Sequence, residues 1–371
     1  MKVPYGYLDR QFNADVAEKI WQTRVKAVVT SGDFTLGKEV KIFEEAFAKA
    51  MGAKHCLGVA NGTDALELGI WAFGFPRNSE IIVPVNTFYA SAASIVTQNM
   101  VPVFVDVNEK FVIDPDKIED AITQKTKAIM PVHFAGQPCD MKKIMAIAQK
   151  HGLKVIEDAA QAADAVSNAG PCGTVGDVAE VSFHPQKNLN GWGDGGAILT
   201  NHKWLYEKLW LFRNHGLVDR DTCKIASRNS RLDSVHAAVL NYFLPALHED
   251  NNRRIEIAKV YSEWFKGSAD VPTPGPDERH TYHLYMMRVK NRDTLLSYLR
   301  DHHIGALIHY PKPLHLQQAF KYLDYEVGDF PVAESYAREM ISLPIHQYMT
   351  DEEVDYTIKV ATECMVKGRS W

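Results

Sequence analysis

The sequence predicts an α/β protein. A mostly parallel sheet is covered by helices on both faces, and a smaller α+β domain follows it. Three observations carry this reading. Short apolar runs alternate with helical stretches from residue 56 to residue 200. Polar or glycine-containing stretches follow several of those runs directly. The alternation stops near residue 233, where a long helical stretch begins. Strands that alternate with helices form parallel sheets, because each crossover helix returns the chain to start the next strand in the same direction.

The elements follow in order. In "EVKIFEEAFAKAMG", Val40, Phe43, Phe47 and Met51 share one helical face, and Gly52 closes the helix. "CLGVA" reads as a strand and "GTDALELGIWAFG" as a helix. "EIIVP" is the next strand and "TFYASAASIVTQN" the next helix. "VPVFVDV" and "KAIMPV" are strands, with a helical "DPDKIEDAIT" between them. "DMKKIMAIAQKHG" is a helix, and "LKVIE", "AEVSF" and "GAILT" are strands. The stretch 233–265 is largely helical. A proline-rich break, "VPTPGPDE", leads to a tail with strands "YMMRV" and "GALIHY" and helices over 292–302 and 350–366. The expected division is a large domain over 1–245 and a small one over 246–371.

Composition narrows the function. The 371 residues are 46% hydrophobic and 23% charged, ordinary values for a globular protein with room for a small-molecule site. A net charge of −5 gives no overall attraction for nucleic acid or anionic membranes. The five cysteines, Cys56, Cys139, Cys172, Cys223 and Cys364, are spread out and include no CxxC pair, which suggests reduced thiols in a cytoplasmic protein. The start, "MKVPYGYLDRQF", lacks the apolar centre of a signal peptide, and no stretch approaches the roughly 20 apolar residues of a membrane span.

Ligands of open α/β sheets sit beyond the carboxyl ends of the strands. "NGTDAL", "NTFYAS", "EDAAQA" and "SFHPQKNLNGWGDGG" fall just there. Asn61-Gly62-Thr63-Asp64 opens a helix, so its free amides and the threonine hydroxyl suit a phosphate. An ordinary N-cap with a turn glycine has the same sequence. No complete Walker or dinucleotide glycine pattern is present. Asp158 reads either as an N-cap before a helix-like "AAQAADA" or as a carboxylate paired with a protonated ring nitrogen. Lys187 reads as a loop lysine or, if desolvated, as an amine with a lowered pKa that forms a Schiff base with an aldehyde. Ser182 adds a possible phosphate contact. Phe88 either stacks on a flat ring or packs in the core. The histidines lack metal-ligand spacing, and His133 and His184 read as packed, hydrogen-bonded residues.

In order and spacing these stretches resemble the DegT/DnrJ/EryC1/StrS family over nearly the whole chain. The motifs include "PVHFAGQPCDM", "VIEDAAQA", "SFHPQKNLNGWGDGG", "RNHG", "NSRLDSVHAAVL", "IHYPKPLHLQ" and "LPIHQYMTDEEV". The resemblance implies a fold-type I aminotransferase that uses pyridoxal 5′-phosphate, with the pyridoxamine form as its intermediate. Lys187 matches the Schiff-base lysine, Asp158 the carboxylate facing the pyridine nitrogen, and Gln161 the glutamine near the phenolic oxygen. Phe88 matches the stacking aromatic, and Gly62, Thr63 and Ser182 the phosphate cradle. Asn229 matches an asparagine that reaches the phosphate from the partner subunit, which implies a homodimer with shared sites.

The implied reaction moves an amino group, glutamate being the expected donor, to a keto-sugar. A nucleotide-linked 3-keto or 4-keto deoxysugar is the expected acceptor. Arg228, Arg231 and Lys312 are candidate contacts for its diphosphate. Alternatives are a ketocyclitol or keto-sugar phosphate acceptor, a pyridoxamine-dependent sugar dehydratase, and a non-catalytic cofactor-binding protein. Dehydratases of the family carry histidine where this chain has Lys187, which argues against that reading. The chain departs from the usual pattern at Arg228-Asn229-Ser230-Arg231-Leu232-Asp233, where two aromatics are missing, and at Asn190, Trp192 and Ala163. These departures concern the sugar pocket.

Overall fold

A computed structural model describes residues 1–367. Helix α1 (Lys38–Met51) buries Val40, Phe43, Phe47 and Met51, the face expected from their spacing, and Gly52 ends it in the left-handed conformation at φ 74°. The alternating region then builds β1 (His55–Val59), α2 (Gly62–Phe73), β2 (Glu80–Pro84), α3 (Tyr89–Thr97), β3 (Val101–Val105), β4 (Thr126–Ile129), α4 (Met141–His151), β5 (Lys154–Asp158), β6 (Val178–Ser182) and β7 (Gly196–Thr200). The seven strands form one sheet in the order β1-β7-β6-β5-β4-β2-β3. β7 alone pairs antiparallel, with β1 and with β6, so the sheet is mixed but mostly parallel. Near-continuous apolar strands such as "EIIVP", with Ile81, Ile82 and Val83 at 0% exposure, are what two covered faces require.

Helices α5 (Lys203–Phe212), α6 (Ser234–Phe243) and α7 (Leu247–Phe265) follow. The tail holds β8 (Tyr285–Arg288), α8 (Arg292–Asp301), α9 (Pro331–Glu339), β9 (Met340–Leu343) and α10 (Asp351–Lys367). β8 and β9 form an antiparallel pair over an apolar cluster that includes Tyr261, Phe265, Leu299 and Ile358, and Val3 packs into the same cluster.

Three expected elements differ. "DPDKIEDAIT" is not an α-helix but two short 3₁₀ turns, Pro115–Lys117 and Glu119–Ala121. The stretch is acidic and only Pro115 and Ile118 within it are fully buried, which is too little apolar surface to carry a longer helix. "AAQAADA" forms turns, with Ala162 N–H donating to Ala159 and Ala165 N–H to Ala162. Asp164 takes a left-handed φ of 67° there and is held by Arg279, so no helix propagates from Asp158. "GALIHY" is extended but meets the β8–β9 pair at a single bridge, Leu307 to Ser342. Gly305 lies so close to the N-terminal segment that a Cβ there would stand 2.5 Å from the Tyr5 nitrogen, and Val3 bridges Ile304 beside it.

Candidate active site

The carboxyl ends of β1, β2, β5 and β6 open on one cleft of about 300 Å³. Gly62, Thr63, Phe88, Asp158, Gln161, Ser182 and Lys187 all line it. Asn61 caps α2 in extended backbone, its Oδ1 accepting from Asp64 N–H at 2.8 Å. The cap leaves the first amides of α2 facing the cleft, so the capping and anion-binding readings hold together.

Close backbone approach shapes this cradle. Gly196, the first residue of β7, lies under the head of α2, where a Cβ would sit 2.5 Å from the Asn61 carbonyl carbon and 2.8 Å from the Gly62 nitrogen. Neither neighbour is a flexible side chain. Gly196→Ala is therefore expected to cost about 1–3 kcal/mol, the usual penalty for overpacking. Denaturant unfolding of the purified variant checks this, and an unchanged midpoint would contradict it.

Asp158 ends β5 with 5% exposure. Ser91 Oγ donates to its Oδ2 at 2.6 Å, and the Ala160 N–H donates to its Oδ1 at 3.2 Å. Thr87 Oγ1 lies 3.0 Å from Ser91 Oγ and extends the chain of hydroxyls. These donors hold the carboxylate in place and aim it. Lys187 follows β6 in a tight turn, its N–H donating to the His184 carbonyl at 2.8 Å, while Tyr7 Oη donates to the Lys187 carbonyl at 2.9 Å. Desolvation in the cleft wall lowers the pKa of its amine, opposed by the neighbouring acidic groups of Glu180 and Asp158. Gln161 is fixed by the Ala135 N–H, which donates to its Oε1 at 2.6 Å. Phe88 is exposed, its ring against Tyr89 and 6.0 Å from Tyr310, and is no core residue.

Four candidates stand elsewhere in the single chain. Asn229 is exposed and bridges Asn214. Arg228 pairs with Glu67 and with Asp64. Arg231 Nη1 donates to Asn214 Oδ1 at 2.9 Å, and Lys312 is exposed. His133 is packed as expected, 2.9 Å from Glu157. His184 is not: it is exposed and lines the cleft, because the turn that presents Lys187 turns it outward.

The cleft also holds residues the sequence reading passed over. Ser91 looked like one polar position in a helix. His283, His309 and Tyr310 arrive from the far end of the chain. Burial lowers the pKa of His309 to about 4 and that of His283 well below the usual range, with Lys187 adding repulsion, so both are neutral near pH 7. His309 and Tyr310 fall in the motif "IHYPKPLHLQ", and His283 lies just before the strand "YMMRV". Glu180, at 1% exposure, lies beside Asp158 and belongs to none of the expected roles.

These residues fit pyridoxal phosphate. A glycine-lined helix N-terminus faces the cleft, a buried carboxylate is held by donors, and a desolvated amine faces both. The sequence model of the DegT/DnrJ/EryC1/StrS aminotransferase family matches residues 16–361. The chain is 45% identical over 357 residues to the dTDP-3-amino-3,6-dideoxy-alpha-D-galactopyranose transaminase of Aneurinibacillus thermoaerophilus, covering 95% of this chain and 97% of that one. The crystal structure of S. venezuelae DesV in complex with a ketimine intermediate superposes with a TM-score of 0.95 at 36% identity over 98% of both chains. Bacillus subtilis NtdA, solved with bound cofactor PMP, gives 0.90 at 31% identity over 98% of this chain and 85% of that one. The chain belongs to the DegT/DnrJ/EryC1/StrS aminotransferase family.

Proposed function

We propose that the protein is a pyridoxal-phosphate-dependent aminotransferase that moves an amino group from L-glutamate to a nucleotide-linked 3-keto deoxysugar. The observation that carries it is the placement of Lys187 and Asp158 on one cleft with the glycine-lined head of α2. The name of the A. thermoaerophilus relative, a 3-amino-3,6-dideoxyhexose transaminase, favours amination at C3.

When bound, pyridoxal phosphate supplies an electron sink for the carbon that loses its proton. Lys187 would hold the cofactor's aldehyde carbon, and its Nζ, when free and neutral, would take the proton from the donor's α-carbon and return it to that aldehyde carbon. The pKa lowered by desolvation raises the share of that amine that is neutral at a given pH. Asp158 would face the pyridine nitrogen and keep it protonated. The α2 amides, Thr63 and Ser182 would hold the phosphate, Phe88 would cover the ring and Gln161 would face the phenolic oxygen. His283 and His309, both uncharged, offer hydrogen bonds to a sugar without adding charge.

The groups come from both the 1–245 unit and the 246–371 unit. Asn229 completes the phosphate site of the second copy in a homodimer, and its exposure in the single chain agrees with that use. Arg228, Arg231 and Lys312 are kept as contacts for the diphosphate. Arg228 reaches it only after leaving Glu67. The location is cytoplasmic. Among the described residues none of the five cysteines is in a disulfide, and no helix is long and apolar enough to cross a membrane.

The test supplies L-glutamate with a nucleotide-linked 3-keto-6-deoxyhexose and measures amino sugar and 2-oxoglutarate together. Equal amounts of both products are expected. Turnover confined to a ketocyclitol or a keto-sugar phosphate would overturn the acceptor, and water loss from the sugar without amine transfer would point to a dehydratase.

A further inference from the structure

Glu180 is a buried carboxylate in the cleft that the function above does not use. It sits on β6 in register with Asp158 on β5, two residues before Ser182, and alternate residues of a strand share a face. It therefore points to the side of the sheet that carries the cleft. At 1% exposure, neither of its carboxylate oxygens makes a well-formed hydrogen bond among the described residues, and the Ala160 N–H that reaches toward it donates to Asp158 Oδ1. Its neighbour at the same level is the Asp158 carboxylate, which as an anion only accepts. A bond between two carboxyl groups exists only when one of them carries a proton.

The other groups around Glu180 narrow the choice of which one does. Asp158 already accepts from Ser91 Oγ and from the Ala160 N–H, so its oxygens serve as acceptors. Above Glu180 stands the head of α2, so close that a Cβ on Gly62 would lie 2.1 Å from Glu180 Oε1. Lys187 faces it from the loop after β6, and Asp194 lines the same cleft. Its other strand neighbour, Ile198 on β7, is apolar. Desolvation first, then the Asp158 charge, push the Glu180 carboxyl well above the usual glutamate range, and Lys187 opposes them. An unpaired buried anion takes up a proton rather than bear the cost of burial.

We propose that Glu180 is a positioning residue, held as a neutral acid whose O–H donates to Asp158, so that the pair presents a single negative charge to the cofactor. The proposal rests on the reading of this cleft as the pyridoxal phosphate site. One proton on the pair leaves Asp158 charged for the pyridine nitrogen and keeps a second anion away from the phosphate cradle. Glutamine keeps an N–H donor at this position without a charge, so Glu180→Gln is the informative variant. Alanine removes the donor.

The first readout is the infrared carbonyl stretch of a protonated carboxylic acid in the cofactor-loaded enzyme near pH 7. It is expected in the wild type and absent from Glu180→Gln. The second is unfolding of the cofactor-free protein against pH. The folded pKa is raised, so the contribution of Glu180 to stability is full below the ordinary glutamate value and is lost as pH rises through the raised one. Glu180→Gln is expected to lose that slope. The third is the concentration of pyridoxal phosphate that half-saturates the cofactor-free protein. Relative to Glu180→Gln, the wild type is expected to weaken with rising pH by up to about tenfold per unit once Glu180 ionises.

A wild type without the acid band, or a Glu180→Gln that binds pyridoxal phosphate at least about tenfold (1.4 kcal/mol) more weakly near pH 7, would overturn the proposal in favour of an ionised Glu180 paired with Lys187. Failure of the wild type to bind pyridoxal phosphate at all would refute the reading of the cleft, and the acid band of the cofactor-free protein then decides alone where the proton sits.

Discussion

Replacing Lys187 by alanine is expected to lower the transamination rate by about 10⁴-fold, the upper end of what one positioned acid–base group contributes. The loss has two parts. The chain would have no amine within the cleft to hold the cofactor's aldehyde carbon, and none to move the α-proton. The cleft itself should persist, because the main-chain bonds that shape this turn do not involve the amine: Tyr7 Oη donates to the Lys187 carbonyl, and the Lys187 N–H donates to His184. The variant should therefore fold, retain pyridoxal phosphate less tightly, and recover part of its rate with a small added primary amine. Single-turnover kinetics with L-glutamate measures the loss. A rate within tenfold of the wild type would remove Lys187 from the chemistry.

Replacing Asp158 by asparagine is expected to cost about 10²–10³-fold in kcat, the scale of losing one preorganised electrostatic partner. The amide is nearly isosteric and can still accept from Ser91, so the cleft keeps its shape while the charge is lost. Without that charge the pyridine nitrogen holds its proton less firmly, and the electron sink weakens. The effect should appear mainly in kcat rather than in KM for the sugar, since the role proposed for Asp158, at the end of β5, is toward the cofactor rather than the acceptor. An unchanged kcat would mean that another group faces the ring nitrogen. Glu180, freed from the neighbouring charge, would be the first to examine.

Much of this site was legible because its chemistry sits at strand ends. Asp158 closes "LKVIED" and Lys187 follows "AEVSF", and the positions where strands stop are marked in sequence by the change from apolar runs to glycine and polar residues. The helix α2 was equally plain, with Asn61 before its apolar period and Gly74 after it.

What stayed hidden depends on contacts between distant segments. Ser91 gains meaning only when α3 lies against the end of β5, and His309 and Tyr310 only when the C-terminal part closes over the cleft. Glu180 lies inside the expected strand "AEVSF". It is buried because both faces of this sheet are covered, which a five-residue window does not reveal. "GALIHY" has the residues of a strand, but it meets the β8–β9 pair at the single bridge of Leu307 to Ser342.

The central claim is that Lys187 holds pyridoxal phosphate in a cleft built to release it to an amino acid. Absorption of the purified protein, loaded with pyridoxal phosphate and followed through addition of L-glutamate, tests this most directly. The account predicts a yellow band from the lysine-bound cofactor, absent from Lys187→Ala, that fades to the near-ultraviolet absorption of the pyridoxamine form as 2-oxoglutarate appears in equal amount. A wild-type protein that stays colourless with pyridoxal phosphate, or a yellow one that no amino-acid donor bleaches, would contradict it.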